Sequence, residues 1–365
     1  MPISQPLNDA NIEHQFDLIR YSNGVASTLN PVYDEVYKLI RNELADFEDV
    51  TTVAALNALV KRMKEGLNEI FTDWDESELQ FIPEDVAKSE IDFQETSTEA
   101  AVEGFSAKIP ELSVVLAQIF STPLMIGQEG SAVDVKTYMK SWKSQEINRI
   151  TSRVVTGFYN ADETQSQTIK AITGNKSKGY EGGILKTSKA NVESVAKTVV
   201  NHASTEAKDK FSKVNDDLII GMLWVSTLDS KTSAICRGRD GTEYLFSEYG
   251  HKYPRPPAHR RCRSALAPIL SDEYSFLSES RKRPAVSEGK AQQVSGKTTY
   301  YEWLKRQPAP VQDKALGKTQ GKIFRNAGLS PEEFKKAATD QLGYGITLEE
   351  MANSNKKIAE YLSTL

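Results

Sequence analysis

The stretch CRGRDGTEYLFSEYGHKYPRPPAHRRCRS, residues 236–264, holds both cysteines of the chain and two of its four histidines. Its proline-rich part predicts an extended, non-helical path, because proline fixes φ and lacks a backbone donor. Thiolate and imidazole are ligands that zinc prefers, and an H-x-x-C pair supplies two of them from one turn. We predict a small β-hairpin knot here, which needs its thiols and imidazole because it is too short for a core of its own.

The sequence leaves three states of the two cysteines open. They are buried thiols beside a His259 that bonds to backbone, or ligands of a metal ion, or a disulfide. In the metal state Cys236, His259 and Cys262 supply three ligands. The fourth is then His251, Asp229, Asp240 or a water molecule. Zinc is therefore the one cofactor that the residues suggest, in a structural role.

The same stretch concentrates basic side chains. Its prolines at 254, 256 and 257 predict that the neighbouring arginines point outward, where guanidinium groups pair with phosphates or with carboxylates of another protein. Candidate contacts to double-stranded DNA or to a protein partner are Arg255, Arg260, Arg261, Arg263 and Lys252. The alternative is buried pairing of one or two arginines, Arg263 first, with Asp229 or Asp240.

Composition excludes several classes of protein. The 365 residues are 39% hydrophobic and 26% charged, which is typical of a globular chain of two or more domains. No apolar run is long enough for a membrane span, so no membrane partner is expected. The N-terminus lacks the pattern of a secretory signal, which predicts a cytoplasmic protein.

Residues 1–105 carry 22 acidic and 7 basic side chains, whereas the rest has a basic excess. This asymmetry favours different partners for the two halves.

Hydrophobic spacing predicts an α+β fold, mostly helical with a small mixed domain that contains a β-hairpin. Helices are expected over 30–47, 53–74, 132–173 and 192–214, and a strand over 218–227 with GTEYLF as its hairpin arm. The predicted parts are a helical arm (1–130), the mixed domain (131–275), an exposed linker (276–299) and a small helical module (300–365). Asn160 or Asp162 is expected to cap a second helix within 132–173, and Thr347 with Glu350 to form a capping box. His202 is expected to be a packed core histidine.

Motifs of common catalysts are absent. The chain has no G-x-S-x-G, H-E-x-x-H or G-x-G-x-x-G motif, and SGKTT at 295–299 fails as a phosphate loop because Ala291 stands where that motif needs glycine. These observations favour a protein without catalytic activity. Two other classes stay open. One is an enzyme that uses Cys236, His259 and Cys262 with Asp229 or Asp240 as base, and the other is a nonspecific DNA-binding module.

Two segments carry a family resemblance. WVSTLDSKTSAICRGRDGTEY (224–244) followed by YPRPPAHRRCRSALAPI (253–269) resembles the phage head morphogenesis domain, the family of the minor head protein F of phage Mu. The matching residues are Trp224, Ser226, Asp229, Thr232, Ser233, Cys236, Asp240, Gly241, Pro256, Pro257, His259, Cys262, Arg263 and Ser264. Thr198 and Asn201 match a family helix upstream, and residues 298–334 resemble the tail of such proteins. The resemblance covers roughly residues 160–350.

The resemblance implies a role in the head of a tailed phage. The expected protein is a minor head component in the capsid interior near the portal vertex, which assembles in the host cytoplasm. Its expected partners are the portal protein and the major capsid or scaffolding protein, with an effect on DNA packaging or ejection. Domains of this family also look like ones that are fused to toxins. That likeness implies, as the alternative, a metal-dependent hydrolase or an ADP-ribosyltransferase-like enzyme.

Overall fold

The protein is mostly helical with two small antiparallel sheets, so the predicted α+β class is confirmed. The computed structural model describes residues 7–126, 131–160, 162–250, 252–274, 282–287 and 289–364. The N-terminal helices are α1 (Leu7–Ser27), α2 (Leu29–Glu43), α3 (Val53–Trp74), α4 (Ile82–Ala101), α5 (Leu112–Ser121), α6 (Val135–Tyr159), α7 (Gln165–Thr173) and α8 (Ile184–Val214). Within the described residues, none of the helices has the length and apolar character needed to cross a membrane.

The mixed part of the chain follows α8 directly. Its elements are β1 (Ile219–Val225), α9 (Ala234–Arg239), β2 (Glu243–Leu245), α10 (Phe246–Tyr249) and β3 (Ala265–Leu270), followed by the hairpin β4 (Lys282–Ser287) and β5 (Lys290–Ser295). The C-terminal helices are α11 (Tyr300–Lys305), α12 (Ala309–Leu316), α13 (Lys318–Asn326), α14 (Pro331–Ala338), α15 (Leu348–Ser354) and α16 (Lys356–Leu362).

Helix α8 is the centre of the N-terminal half. All residues from Thr198 to Asp209 on it are buried, because α1, α4, α5 and α6 pack around it. One hydrophobic core contains side chains of α2, α3, α4, α6 and α8, and it therefore joins residues on both sides of position 130. His202, predicted to be a packed histidine, is 2% exposed, and its Nε2 lies 2.9 Å from the carbonyl oxygen of Ile119.

Helix α3 shows how the sequence pattern sets this packing. The buried residues Leu56, Leu59, Met63, Leu67 and Phe71 recur at helical spacing and form the apolar stripe that faces the core. The side chain of Thr52 caps the first turn by accepting a hydrogen bond from the amide of Ala55 at 3.1 Å. The observed bounds of α3 are the predicted ones.

The cap predicted for α7 is wrong. Thr164, rather than Asn160 or Asp162, is the N-cap, and it forms a capping box with Gln167. The amide of Asn160 still bonds to the end of α6 through the carbonyl oxygen of Gly157 at 3.3 Å. A capping box satisfies two free amides of the first turn at once, which explains why the cap is Thr164 rather than Asn160 or Asp162. The capping box predicted for Thr347 and Glu350 is present.

A three-stranded sheet lies beside α8. Its order is β2-β1-β3, and both pairs are antiparallel, with Met222 opposite Tyr244 on one side and Pro268 on the other. Trp224 of the central strand is fully buried, and its indole nitrogen donates to the hydroxyl of Ser226 at 2.9 Å. The predicted strand and its hairpin arm are therefore both present.

The segment predicted as an exposed linker contains the hairpin of β4 and β5. Arg283 on β4 is 5% exposed, and its guanidinium donates to Asp240 Oδ2 at 3.0 Å and to the carbonyl oxygen of Thr298 at 2.8 Å. Asp240 also accepts from the amides of Ser226 at 2.8 Å and Tyr300 at 2.7 Å. This one carboxylate therefore connects the sheet, the hairpin and the C-terminal helices. The polar composition of this segment predicted an exposed linker. The burial of Arg283 could not be predicted locally, because its partner Asp240 lies 43 residues away in the sequence.

A second buried charge cluster lies between α1, α4 and α8. Glu90 is fully buried, 3.5 Å from Lys208 Nζ and 3.1 Å from His14 Nε2, and it accepts a hydrogen bond from Ser204 at 2.6 Å. Burial alone raises the pKa of Glu90, but Lys208 and His14 outweigh it and lower the pKa to about 2. The carboxylate is therefore charged in the folded protein throughout the neutral range.

We expect Arg283→Met to destabilise the protein by about 3–5 kcal/mol, because it leaves the buried Asp240 carboxylate without its cation. Arg325→Met is the matched control. It removes a similar pair, Arg325 to Asp313 at 2.7 Å, whose side chains are 23% and 31% exposed, and should cost about 0–1 kcal/mol. Urea unfolding measures both. Equal losses in the two variants would contradict a special role of the Asp240 pair.

Glu90→Gln should change how stability depends on pH. The pKa of Glu90 is depressed in the folded chain, so its contribution is fully present above its unfolded value of 4.5 and is lost as pH falls toward about 2. The variant should be less stable than wild type near neutral pH by on the order of 3 kcal/mol, with the gap closing in acid. Urea unfolding across this range measures the gap, and Glu65→Gln, an exposed site, is the control. A gap independent of pH would refute the assignment.

Candidate metal centre

The two cysteines and His259 meet beside the sheet. Cys236 lies on α9, whose N-cap Ser233 accepts a hydrogen bond from the amide of Cys236 at 3.4 Å. His259 and Cys262 lie in the loop that enters β3, and the amide of Cys262 donates to the carbonyl oxygen of His259 at 3.1 Å. The prediction of a hairpin between the cysteines is therefore wrong, since a short helix and a loop carry them. The N-cap at Ser233 explains why a helical turn begins here.

The three side chains are close enough to share one ion. Cys236 Sγ is 3.6 Å from Cys262 Sγ and 3.2 Å from His259 Nε2, and the ligand atoms of all three lie within 4.8 Å of one another. Both cysteines are free thiols, which excludes the disulfide in this structure. The group could hold a metal ion, as the sequence suggested.

The local hydrogen bonds prepare these groups as ligands. His259 Nδ1 lies 2.8 Å from the carbonyl oxygen of Arg260, which can only accept, so Nδ1 carries a proton and Nε2 is the ring nitrogen that could bind a metal. The contact with Cys236 lowers the pKa of Cys262 well below its usual value, with His259 acting in the same direction, whereas the pKa of Cys236 is raised. Cys262 is therefore the thiolate of the pair, the form that a metal needs.

Serine and asparagine side chains tie the three segments together. Ser226 Oγ donates to the carbonyl oxygen of Cys236 at 2.8 Å and lies 3.0 Å from Ser264 Oγ. Asn201 on α8 donates through Nδ2 to the carbonyl oxygens of Cys262 and Ser264, both at 3.1 Å. The cysteines are thus held from the strand, from the loop and from the central helix.

Other residues of the predicted motif have structural roles nearby. The Asp229 carboxylate accepts from the amide of Lys231 at 2.9 Å and lies 3.1 Å from the hydroxyl of Thr232, which closes the turn before Ser233. Gly241 has a φ of +74°, a region that favours glycine, and its amide bonds to the carbonyl oxygen of Trp224 at 3.0 Å. Pro256 and Pro257, joined by a cis peptide bond, are both buried.

The structure places neither candidate aspartate at the cluster as a fourth ligand. Arg263 binds Asp229 with two hydrogen bonds of 2.6 and 2.9 Å, and Arg283 binds Asp240. Burial raises the pKa of Asp229, but the bonds from Arg263 outweigh it, so the net pKa is lowered. Neither carboxylate belongs to the group of close ligand atoms. The third candidate, His251, lies outside the described residues. A water molecule remains a candidate for the fourth position.

The basic side chains of the loop divide into two sets. Arg255 was expected to point outward, but it is paired with α8, with Nε 2.9 Å from Glu206 and NH1 3.6 Å from Asp209. The buried carboxylates of α8 explain this difference, because each needs a cation. Arg263 is the arginine for which buried pairing was predicted, and it binds Asp229.

The second set is exposed. Arg260, Arg261 and Lys252 face solvent, as the charge pattern suggested. Arg260 lies over the ring of Tyr138 at 5.8 Å from its centroid. Arg261 has a φ of +60°, which is unusual for a residue with a Cβ, and its amide donates to Thr198 Oγ1 at 3.1 Å. Of the five basic side chains proposed for DNA or a partner, these three remain accessible.

Sequence reasoning did not anticipate the role of α8 in the site. Thr198 and Asn201 were noted only as matches to a family helix, yet both bond to the loop that carries Cys262. The sequence carries only a weak signal, since eight of the twelve residues from 198 to 209 are polar and the four apolar ones share a single face, yet all twelve are buried. Polar residues that no helix face can expose must find partners in neighbouring segments.

Removal of either loop ligand should remove the metal. We expect purified wild-type chain to carry about one metal ion per molecule, and Cys262→Ser and His259→Ala to carry almost none, because two remaining ligands bind weakly. Elemental mass spectrometry measures the content. His202→Gln changes another buried histidine outside the cluster and should keep the ion. A metal-free wild type of normal stability would show that the cluster is only a packed core.

Comparisons with known proteins identify no similar protein. No family model matches the chain, and neither the curated proteins nor the solved structures contain a match. The resemblance to phage head morphogenesis proteins therefore rests on the motif residues themselves and stays a prediction.

Proposed function

We propose that this chain is a minor head protein of a tailed phage, a structural part associated with the portal that acts in procapsid assembly and DNA packaging or ejection. One observation carries the proposal. The residues that resemble the phage head morphogenesis domain come from α8, β1, α9 and the loop before β3, and they contact one another in a single cluster. These mutual bonds satisfy buried polar groups and join the segments, which suits a structural role.

The state of the polar groups in this cluster favours the same conclusion. Asp229 and Asp240, the bases that a hydrolase would need, are both bound to arginine. A general base must be able to reach the proton that it abstracts, and a carboxylate held in such a pair is kept from that task. We therefore prefer the structural role over the hydrolase or ADP-ribosyltransferase-like alternative.

We further propose zinc as the ion of the cluster. In a tetrahedral site with Zn–S bonds of about 2.3 Å and Zn–N bonds of about 2.0–2.1 Å, two sulfurs lie about 3.8 Å apart, and a sulfur and a nitrogen about 3.6 Å apart. The corresponding distances here are 3.6 and 3.2 Å. Cys236, His259 and Cys262 would hold the ion, which would fasten α9 to the loop before β3.

The charge distribution suggests how such a protein is placed in a phage head. Glu65, Glu69 and Asp73 are exposed at intervals of four on α3 and form an acidic stripe. Arg260 and Arg261 are exposed on the other half of the chain. We propose that the acidic stripe binds the portal or the capsid or scaffolding protein, and that the exposed arginines contact packaged double-stranded DNA without sequence specificity.

Co-sedimentation with portal rings of the same phage tests the proposal. Wild type should sediment with the rings at low salt, and Glu69→Lys with Asp73→Lys should lower the bound fraction several-fold, because charge reversal opposes the attraction. Both residues are exposed and neither forms an ion pair within the described part of the chain, so the fold should tolerate the change. Lys322→Glu, a charge reversal on the exposed side of α13, is the matched control and should bind normally.

Two results would contradict the proposal. Failure of the wild-type chain to sediment with either portal rings or procapsids would remove the association with the phage head. Turnover of DNA, peptide or NAD by the zinc-loaded chain, lost in Cys262→Ser, would favour the enzyme instead.

A further inference from the structure

A cavity of about 380 Å³ opens between α1, α8 and the loop around Cys262, and its lining is basic. Lys197 of α8, Lys231 of the turn after β1, and Arg261 and Arg263 of the loop line it together. No aspartate or glutamate of the described residues does so. Arg263 is neutralised by Asp229, which leaves three positive charges around one small space.

Two of these three cations are not used elsewhere in the described part of the fold. Lys197 and Lys231 form no ion pair with any described residue, and Lys231 is exposed. Like charges held around a cavity repel one another, so their arrangement favours a bound anion that compensates them. Clusters of lysine and arginine are the groups that bind phosphate in proteins.

The position of Arg261 is enforced by two bonds. Its backbone lies in the left-handed region. The backbone N–H of Arg261 donates a hydrogen bond to the hydroxyl of Thr198, and its guanidinium donates one to the carbonyl oxygen of Ala190. Such a conformation is costly for a residue with a Cβ and persists only where the surroundings fix it. Arg261 is thus fixed where it lines the cavity.

The remaining lining is suited to the organic part of a ligand. Leu18, Ile19 and Val200 form an apolar wall. Asn201, 5% exposed, also lines the cavity, and although its Nδ2 donates to the loop, its Oδ1 has no hydrogen-bond partner among the described residues. An unpaired buried acceptor is costly, and because solvent does not reach this oxygen, a ligand would contact it only after a shift of the Asn201 side chain.

We propose that this cavity binds a small phosphate ester of the size of a nucleoside monophosphate. Lys197, Lys231 and Arg261 contact its phosphate, and the apolar wall contacts its organic part. The volume lies in the range of small-molecule sites, about 300–1,000 Å³. This site is separate from the surface assigned to the portal but shares Arg261 with the surface assigned to DNA, so the experiment includes a DNA duplex to tell the two roles apart.

Calorimetric titration of the full-length chain with adenosine 5′-monophosphate tests the site, with inorganic phosphate and a short DNA duplex as comparison probes. We expect the nucleotide to bind more tightly than inorganic phosphate, and Lys197→Gln and Lys231→Gln each to weaken it about tenfold or more, the loss expected for one charge-assisted hydrogen bond. Lys252→Gln is the matched control, because Lys252 is an exposed lysine of the same region that lines a different cavity.

The outcomes separate the sources of the phosphate. Weakened nucleotide binding in both cavity variants, with normal binding in Lys252→Gln, supports the site. No nucleotide binding by wild type, equal effects of all three variants, or inorganic phosphate binding as tightly as the nucleotide overturns it. Binding of the duplex alone also overturns it and shows that the cations serve nucleic acid. Lys231 lies in an exposed turn, so its variant still decides the question if Lys197→Gln proves unstable.

Discussion

The middle of α8 buries charged and polar groups, and its neighbours are arranged to satisfy them. Lys208 reaches Glu90 and the carbonyl oxygen of Leu266, Glu206 binds Arg255, and Asn201 bonds to the backbone around Cys262. A buried polar group without a partner costs about 1–3 kcal/mol, and a buried charge costs more. These polar contacts therefore fix how the N-terminal helices, the sheet and the proline-rich loop lie against α8. Hydrophobic packing alone would not specify that arrangement.

This arrangement explains why one short loop contains arginines of two kinds. Arg255 and Arg263 neutralise carboxylates and hold the loop, whereas Arg260 and Arg261 remain on the surface. The ion pairs of Arg255 and Arg263 hold the loop backbone in place. The exposed side chains of Arg260 and Arg261 therefore extend from a fixed backbone. A metal bound by the cysteines would further stabilise the same loop backbone.

Local signals in the sequence were sufficient for much of the fold. The bounds of α3, the strand around Trp224 and the capping box at Thr347 follow from spacing and capping rules that act within a few residues. The grouping of the cysteines with His259 was also predicted, because their residue types are rare and their spacing suits a shared ligand. The pairing of Arg283 with Asp240 and of Arg255 with α8 was missed, since both depend on partners 43 to 49 residues away.

Asp240 makes the C-terminal half of the chain a poor unit for exchange between proteins. Its carboxylate bonds to Arg283 and to the amide of Tyr300, and its carbonyl oxygen accepts from Lys335 at 2.8 Å. A recombinant that joins residues 1–275 to the C-terminal part of another protein would leave the buried Asp240 carboxylate without a cation. Only a C-terminal part with an arginine at the position of Arg283 would avoid this. The sheet, the hairpin and the first C-terminal helices therefore have to be exchanged together if this buried charge is to keep its partners.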